Sequence, residues 1–197
     1  MKKQIIAAAV LCTLVSGAAI AQQAKEGPWT LYVRAVNLDS ANGDDTGLGL
    51  TINNKTIPDV SIRYSFDQNL AAELLLTIPQ KHTLKSNGTV LGTLKHLPPT
   101  LFVQYHFNAN GFKPYVGAGI NYTRFSSVNL SPGVDIDRNS WSPALQAGVD
   151  IPLTGNMYLN FDVKKVYIRT DVSVAGVNKG AFKIDPVLFG VGLGWRF

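Results

Sequence analysis

The sequence predicts an all-β protein, an eight-stranded antiparallel transmembrane β-barrel preceded by a cleaved signal peptide. Three observations support this fold class. Eight segments alternate apolar residues with small or polar ones, the connections between them alternate between long and short, and aromatic residues cluster at the segment ends. Alternation with a period of two is typical of strands, and in membrane barrels it sets a lipid-facing apolar face between two aromatic girdles.

The clearest strand is the last one, which runs from Val187 to Phe197. Its odd positions are large and apolar, whereas its even positions from Gly190 onward are glycine or arginine. A soluble sheet packs its apolar face on a core and rarely ends on two exposed aromatic residues such as Trp195 and Phe197. On a membrane barrel these residues meet lipid and the water interface. We therefore interpret this segment as the strand that closes the barrel.

Residues 1–21 have the features of a secretory signal peptide. A basic start precedes a short apolar run, which ends in the small-residue cleavage site Ala19-Ile20-Ala21. The run is interrupted and short for a membrane span, which needs about 20 apolar residues. Cleavage would remove Cys12, the only cysteine, and would leave residues 22–197 as the barrel domain. Neither disulfide nor thiolate chemistry is then expected.

Composition argues against a nucleic-acid partner and in favour of outer-membrane lipids. The formal net charge is only +5, and the Lys and Arg residues are scattered along the chain. Phosphate binding needs a concentrated basic face. Apolar residues make up 46% of the chain and charged residues 16%, yet no later segment is continuously apolar for the length of a spanning helix. The hydrophobicity must therefore be distributed over alternating strands.

The same alternation locates all eight strands. In chain order they are residues 29–38, 57–66, 70–78, 97–107, 112–125, 140–151, 157–170 and 187–197. In the seventh strand the phase slips near Lys165, where we expect a bulge or the edge of the membrane. Tight turns follow the second, fourth and sixth strands, and long connections follow the others. Short periplasmic turns and long extracellular loops are typical of barrels in the outer membrane of Gram-negative bacteria.

Four segments resemble a known family. They are Trp29–Arg34, Leu97–Leu101, Phe112–Tyr122 and Asp185–Phe197, of which the last two are the most specific. Through them the chain resembles the outer-membrane protein W (OmpW) / AlkL family over its whole length after the signal peptide. The resemblance implies an eight-stranded barrel with a narrow, largely hydrophobic channel. It also implies that small hydrophobic molecules enter from outside and leave sideways into the membrane.

The size of the inward-facing side chains determines whether the lumen has space for such a route. An eight-stranded barrel is about filled by its own side chains, so a passage requires small residues. Several glycines fall on the faces assigned inward, Gly148 and Gly194 among them. They either leave a passage or let strands and bulky neighbours pack closely, and both alternatives stay open. The channel-lining candidates are Tyr32, Leu75, Phe102, Tyr115, Gly117, Gly119, Leu188, Gly190 and Gly192.

Charged residues of both signs also fall on the inward faces. Because buried ions need partners, we expect them to form a plug of ion pairs toward the periplasmic half of the lumen. Such a plug would force an apolar molecule to leave through the wall. The expected members are Arg34, Arg63, Glu73, Asp150, Asp162, Lys164 and Arg196.

Three prolines indicate where the wall would open. Proline has no amide hydrogen and cannot donate to a neighbouring strand. Pro79 ends the third predicted strand, and Pro98 and Pro99 open the fourth, so the three meet at the extracellular end of one strand pair. Either the wall parts between these two strands, or the prolines simply end strands where a loop begins.

The residues do not indicate catalysis, a cofactor or a metal. His106, Ser142 and Asp150 face inward, but the predicted register places His106 and Ser142 at opposite ends of their strands, too far apart for a catalytic triad. His82 and His96 lack the close spacing of metal ligands. We expect both to be solvated loop residues.

Two classes of function therefore stand. The first is a monomeric channel for a small hydrophobic substrate, and the second is a non-transporting barrel that serves as a structural, adhesive or receptor surface. The loop segments Thr46–Ile52 and Val90–Leu94 are apolar and could form a hydrophobic funnel over the mouth, which weakly favours transport. A monomer is expected because a closed barrel has no edge strand that needs a partner.

The C-terminal aromatic residues Trp195 and Phe197 resemble the signal read by the barrel-assembly machinery. Deletion of Phe197 should therefore lower the yield of folded, inserted protein before it affects any transport. The heat-dependent mobility of folded barrels on gels measures this yield. Phe66→Ala, which removes an aromatic residue from another strand end, is the matched control. Equal insertion of the two variants would contradict the prediction.

Overall fold

The computed structural model describes residues 27–197, so the predicted signal peptide lies outside the described residues. The fifteen strands are β1 (Trp29–Asp39), β2 (Gly43–Asp44), β3 (Leu50–Ile52), β4 (Lys55–Ser65), β5 (Leu70–Thr77), β6 (Gln80–Ser86), β7 (Thr89–Leu97), β8 (Thr100–His106), β9 (Lys113–Leu130), β10 (Val134–Ile136), β11 (Asn139–Pro152), β12 (Met157–Val166), β13 (Arg169–Val174), β14 (Val177–Lys183) and β15 (Val187–Arg196). Within residues 27–197, no helix has the length and apolar character to cross a membrane.

Eight of these strands close into an antiparallel barrel. Around the wall the order is β1, β4, β5, β8, β9, β11, β12 and β15, and β15 pairs with β1 again. Each of the eight predicted strands corresponds to one wall strand, and the predicted fold class is confirmed. Closure matters because backbone amides and carbonyls have no water to bind inside a bilayer.

The outer face of the wall is apolar and carries aromatic pairs toward both ends. Among the exposed side chains, Ile120 is 61% and Trp141 72% accessible. The rings of Trp141 and Tyr122 lie 4.7 Å apart toward the extracellular end. The rings of Tyr105 and Phe107 lie 5.1 Å apart toward the periplasmic turns. This distribution suits an apolar band between two interfacial girdles.

The sheet continues beyond the barrel on the side opposite the chain ends. There β6 and β7 form a hairpin that pairs with β9, and β3 pairs with β6. A second sheet has the order β10, β13, β14, β2. We call these seven strands the extracellular extension. The sequence predicted long extracellular loops here; the connections are long, but they fold into strands.

The extension forms strands because exposed polar residues alternate with buried residues along its segments. In β6, His82 and Leu84 are buried, whereas Lys81 and Lys85 are exposed. Long polar side chains on the outer face concealed the period of two in the sequence. A strand surrounded by water needs polar residues outside, the reverse of a strand surrounded by lipid.

The expected phase slip near Lys165 also results from the change of surroundings from lipid to water. Lys164, Val166, Ile168 and Thr170 are all buried, so one face of β12 and β13 points inward without interruption. Lys165 stays in register with Val187 on β15, and no bulge occurs there. At this height the inward-facing residues change from polar to apolar, because the strand passes from lipid into water. Of the two expected causes, the edge of the membrane is the one that fits.

Two glycines on the inward face of β15 provide a matched test of the packing. A Cβ on Gly192 would collide with the β1 backbone, 2.6 Å from the Arg34 Cα, whereas one on Gly190 would lie 3.3 Å from the Val36 side chain. We expect Gly192→Ala to lower the free energy of unfolding by about 1–3 kcal/mol, the usual cost of overpacking. Gly190→Ala should cost less because a side chain can shift. Urea unfolding in lipid vesicles measures both, and equal losses would contradict the prediction.

Candidate functional site

The lumen has three zones along the barrel axis. A cavity of about 640 Å³ opens at the periplasmic end. A network of buried charged and polar side chains, which we call the polar plug, fills the barrel above it. An apolar cluster lies above the plug and continues into the extracellular extension.

Glu73 lies at the centre of the polar plug and is fully buried. Its Oε1 lies 3.1 Å from Arg34 Nη1, and its Oε2 lies 3.0 Å from Arg63 Nη2. Ser61 Oγ and Gln104 Nε2 each donate a hydrogen bond of 2.8 Å to this carboxylate. One carboxylate on β5 thus holds two guanidinium groups from β1 and β4.

Further pairs extend the plug around the barrel. Arg63 Nη1 lies 2.5 Å from Asp150 Oδ2 on β11. Lys164 pairs with Asp162 on the same strand, and its Nζ lies 3.7 Å from Asp59 Oδ2 on β4. Six of the seven residues expected in a charge plug therefore lie in one network. Each member sits on a rigid strand, so the network links opposite sides of the wall.

Tyr32 and Tyr115 belong to this network as well. The Tyr32 hydroxyl donates to Asp150 Oδ2 and the Tyr115 hydroxyl to Asp162 Oδ2, both at 2.8 Å. The Arg63 guanidinium lies over both rings, 4.4 Å from the Tyr32 centroid and 4.6 Å from that of Tyr115. Both tyrosines were expected to line a channel, but they fill it instead.

Sequence reasoning missed several plug members, although each sits on an inward face that the alternation assigns. The neutral ones connect charged groups: Gln146 Nε2 donates to Asp162 Oδ2 at 2.8 Å, and Asn160 Nδ2 donates to Asp150 Oδ1 at 2.7 Å. Asp59 accepts from Arg34 at 3.4 Å. A search for charge alone overlooks the amides, and the inward position is the signal that would have found them. The missed residues are Asp59, Ser61, Gln104, Gln146 and Asn160.

Arg196 lies below the polar plug, on its periplasmic side, and not within the network. Its Nε donates a 2.8 Å hydrogen bond to the Gly27 carbonyl, and it lines the periplasmic cavity with Lys113 and His106. The reason is its position as the last residue of β15, one step from the barrel rim. His106 lies near this rim, with its Nε2 3.1 Å from Gln104 Oε1. Ser142 lies in the upper half of the barrel, opposite Asn121, so the two do not meet.

The inward glycines do not leave an open passage, because the space above them is occupied. A Cβ on Gly117 would lie 3.2 Å from both Gln104 Cγ and Gln146 Oε1, and one on Gly119 would lie 2.9 Å from the Phe102 ring. The Tyr115 hydroxyl group occupies the space over Gly148. Between the two alternatives for the glycine row, the structure favours close packing.

The apolar cluster closes the upper lumen. Among the candidates for lining a channel, Leu75, Phe102 and Leu188 belong to it and are buried. Residues of the extension complete it from above, including Leu50 and Leu94. These residues come from the two segments expected to form a funnel over the mouth. These two side chains pack into the cluster, whereas Val90 from the second segment stays exposed at a hairpin tip, so the funnel remains a prediction.

The hydrogen-bonded ladder between β5 and β8 is interrupted at its extracellular end. The last rung joins Leu75 to Thr100, and the next one above joins Gln80 to His96 in the β6–β7 hairpin. Among the described residues, no backbone pair joins 76–79 to 97–99. We call this gap the proline seam, since it contains Pro79, Pro98 and Pro99.

Each flank of the proline seam is bound to its other neighbour instead. Thr77 pairs with Asp59 on β4, and Tyr122 on β9 donates to the Pro99 carbonyl at 3.0 Å. Local side chains satisfy two carbonyls that face no partner strand: Gln80 donates to Ile78 at 2.9 Å and Thr100 to Pro98 at 3.2 Å. The seam is thus an interruption in an otherwise closed wall.

His82 and His96, expected as solvated loop residues, are buried in the extension, and that expectation was wrong. Their rings stack 4.7 Å apart. The β6–β7 hairpin brings them together although they are distant in sequence. Within the described residues, no group of three or more His, Cys, Asp or Glu side chains is arranged to hold a metal ion.

The model of the OmpW family matches residues 31–197. The chain belongs to the OmpW family. Outer membrane protein W of Escherichia coli is 32% identical over the full length of both chains. An uncharacterized outer-membrane protein of Sinorhizobium fredii, y4mB, is 40% identical over 86% of this chain and 80% of its own length. This family member is accordingly an outer-membrane protein of Gram-negative bacteria.

Two further comparisons bear on this OmpW-family chain. The crystal structure of OprG from Pseudomonas aeruginosa superposes with a TM-score of 0.72 at 26% identity, covering 89% of this chain and 98% of that one. A Pseudomonas aeruginosa protein named dibenzothiophene metabolism operon protein PahQ is 29% identical over 88% of this chain and 90% of its own length.

The central position of Glu73 leads to a stability prediction for the family member. Glu73→Gln removes the charge that holds two buried guanidinium groups, and breaking a buried pair typically costs about 3–5 kcal/mol. The free energy of unfolding in lipid vesicles should fall by that amount. Asp135→Asn is the matched control, since Asp135 forms an exposed pair with Arg138 at 2.7 Å. A loss for Glu73→Gln no larger than that for the control would contradict the central role of Glu73.

Proposed function

We propose that this OmpW-family barrel is a channel that takes up small hydrophobic molecules and releases them sideways into the membrane through the proline seam. The observation that carries the proposal is the interrupted ladder between Leu75–Thr100 and Gln80–His96. A closed barrel wall in lipid normally has every backbone group paired, so an interruption between two bound flanks marks the place where the wall opens most easily.

The polar plug supports a sideways route because it closes the axial one. Three cations and four carboxylates are buried across the lumen above the periplasmic cavity. An apolar molecule that continued along the axis would separate these pairs and leave buried charges without partners, which is strongly unfavourable. The carboxylates are Asp59, Glu73, Asp150 and Asp162, and the cations are Arg34, Arg63 and Lys164.

The chemistry on the two sides of the proline seam also suits an apolar substrate. On the inside, Leu75 and Phe102 of the apolar cluster lie next to the last rung. On the lipid side, Leu76 and Ile78 are 48% and 60% exposed. A hydrophobic molecule that crosses here leaves the apolar cluster, passes the neutral side chains of Thr100 and Gln80, and reaches the apolar lipid face. An apolar molecule can replace packed side chains without leaving any polar group unpaired.

A related protein points to the same class of substrate. PahQ is named for a dibenzothiophene metabolism operon, and dibenzothiophene is a fused aromatic compound with little polarity. The cell must bring such a compound across its outer membrane before it can metabolise it. We infer a small aromatic or aliphatic substrate for this chain, which acts as a monomer among outer-membrane lipids.

A second candidate function is a non-transporting surface barrel. The extracellular extension supports it, because two hairpin tips expose apolar side chains: Val90 is 58% and Val177 57% accessible. An adhesive or receptor surface would use such tips. Uptake of dibenzothiophene by cells with and without the protein distinguishes the two functions, and equal uptake would remove the transport proposal.

Restoring the ladder provides the specific test. Replacement of both Pro98 and Pro99 by Val restores two amide hydrogens, of which the one at position 98 faces the seam, because the Pro99 carbonyl already faces Tyr122 on β9. Uptake of dibenzothiophene should fall several-fold because the seam can then pair. Pro143→Val is the matched control, since Pro143 is a lipid-facing proline of β11 that pairs in register with Ile120, on a strand that borders neither β5 nor β8. Unchanged uptake in the double variant would contradict the lateral route, provided that the variant folds as shown by its mobility on gels.

A further inference from the structure

The two buried histidines form an unusual pair on the inner side of the β6–β7 hairpin. His82 and His96 are 1% and 0% exposed, and their rings are nearly parallel, with an angle of 8° and a centroid distance of 4.7 Å. The ring of Phe125 on β9 meets His96 edge-on at 6.3 Å. Leu84 and Leu94, from the same hairpin, are also buried in this region.

Most of the nitrogens in this pair have no hydrogen-bond partner. His82 Nδ1 lies 3.1 Å from the Asn53 carbonyl, and because a carbonyl only accepts, this nitrogen carries the proton. His82 Nε2 is then a bare acceptor, and neither it nor either nitrogen of His96 has a hydrogen-bond partner among the described residues. Buried polar atoms without partners are rare in folded proteins, and they often mark a functional group.

The pair is situated directly above the proline seam. His96 forms the first rung over the gap, opposite Gln80, and is two residues from Pro98. The hairpin that carries both rings therefore provides the upper boundary of the seam. A change in its packing changes how widely the two flanks can separate.

We propose that acidification opens the proline seam by protonating the His82–His96 pair and unpacking the β6–β7 hairpin above it. This step rests on the proposed function, since it regulates the exit that the function requires. The proton comes from the external medium and binds to an imidazole nitrogen when the hairpin loosens. The resulting cation is then solvated by water.

The surroundings of the pair disfavour a positive charge while the hairpin is packed. Lys55 of β4 is a cation that acts on both rings, and each imidazole faces the other. Phe125 of β9 contributes an apolar ring and the Asn53 carbonyl a single acceptor. Burial is the main reason that the pKa of His96 falls from 6.5 to about 3, and burial also lowers the pKa of His82.

These shifts fix the direction of the pH effect. Above pH 6.5 both rings are neutral in the packed and the open hairpin, so pH has no effect. Between pH 6.5 and about 3 the open hairpin binds a proton at His96 that the packed hairpin does not, so falling pH favours the open form. Each pH unit changes the ratio about tenfold per histidine, and His96 alone gives about 30-fold at pH 5.

Hydrogen exchange of residues 80–97 tests the opening without reference to transport. In the native protein, exchange rates corrected for the intrinsic effect of pH should rise below pH 6.5, by about 30-fold at pH 5. The variant His82→Asn/His96→Phe lacks both titrating groups, and the Asn amide can still donate to the Asn53 carbonyl. Its exchange should not depend on pH. Lys81→Gln removes an exposed charge from the same hairpin and should behave like the native protein.

Uptake of dibenzothiophene at pH 7.5 and pH 5 tests the consequence. Uptake by the native protein and Lys81→Gln should be higher at pH 5, and uptake by the double histidine variant should be the same at both values. Exchange that is independent of pH in the native protein would overturn the proposal, whether or not the double variant folds. Acid-dependent exchange with pH-independent uptake would overturn the link to the seam and leave the transport function intact. Absence of uptake at both values would overturn the proposed function, and the regulation with it.

Discussion

The pairing of backbone groups in lipid is the constraint on which the rest of this molecule depends. A wall that must satisfy every amide and carbonyl without water closes on itself, and with eight strands it encloses a lumen that side chains can fill. The strands supply polar residues to that lumen because their apolar residues are needed outside. Buried charges must then find partners, and Glu73 does so for two arginines at once. The polar plug is thus a consequence of barrel closure, and it also seals the axis.

The proline seam is the exception to this constraint, and its position gives it significance. It lies where the apolar cluster begins, next to the upper edge of the polar plug at Asp59 on the neighbouring strand β4. Thr77 and Tyr122 anchor its flanks to β4 and β9, which keeps the rest of the wall closed. A barrel with the same gap beside Asp150 would expose ionic groups to lipid. Placed beside Leu75, the gap borders the apolar cluster and the neutral polar side chains of Thr100 and Gln80.

The sequence was sufficient for the barrel wall but not for the part above the membrane. Alternation placed Arg34, Glu73 and Lys164 on inward faces correctly because lipid enforces one rule on every wall strand. In water the outward face of a strand must be polar instead of apolar. The strands around Leu84 and Leu94 were therefore predicted as loops that contain short apolar segments. The His82–His96 stack depends on the diagonal geometry of a hairpin with a register shift, which no linear spacing reveals. Arg196 was predicted to belong to the plug and lies just below it, at the periplasmic rim of the barrel.

The reversal of the apolar face at the membrane edge also determines which surface the protein presents outside the membrane. Because the extension buries Leu50, Leu84 and Phe182 in a core of its own, its outer residues are fixed relative to one another. Neighbouring positions on the surface come from distant parts of the chain, as where β2 pairs with β14. Any antibody raised against the folded surface would therefore recognise a conformational epitope. Immunisation with linear peptides copied from these segments would present shapes that the folded protein does not display.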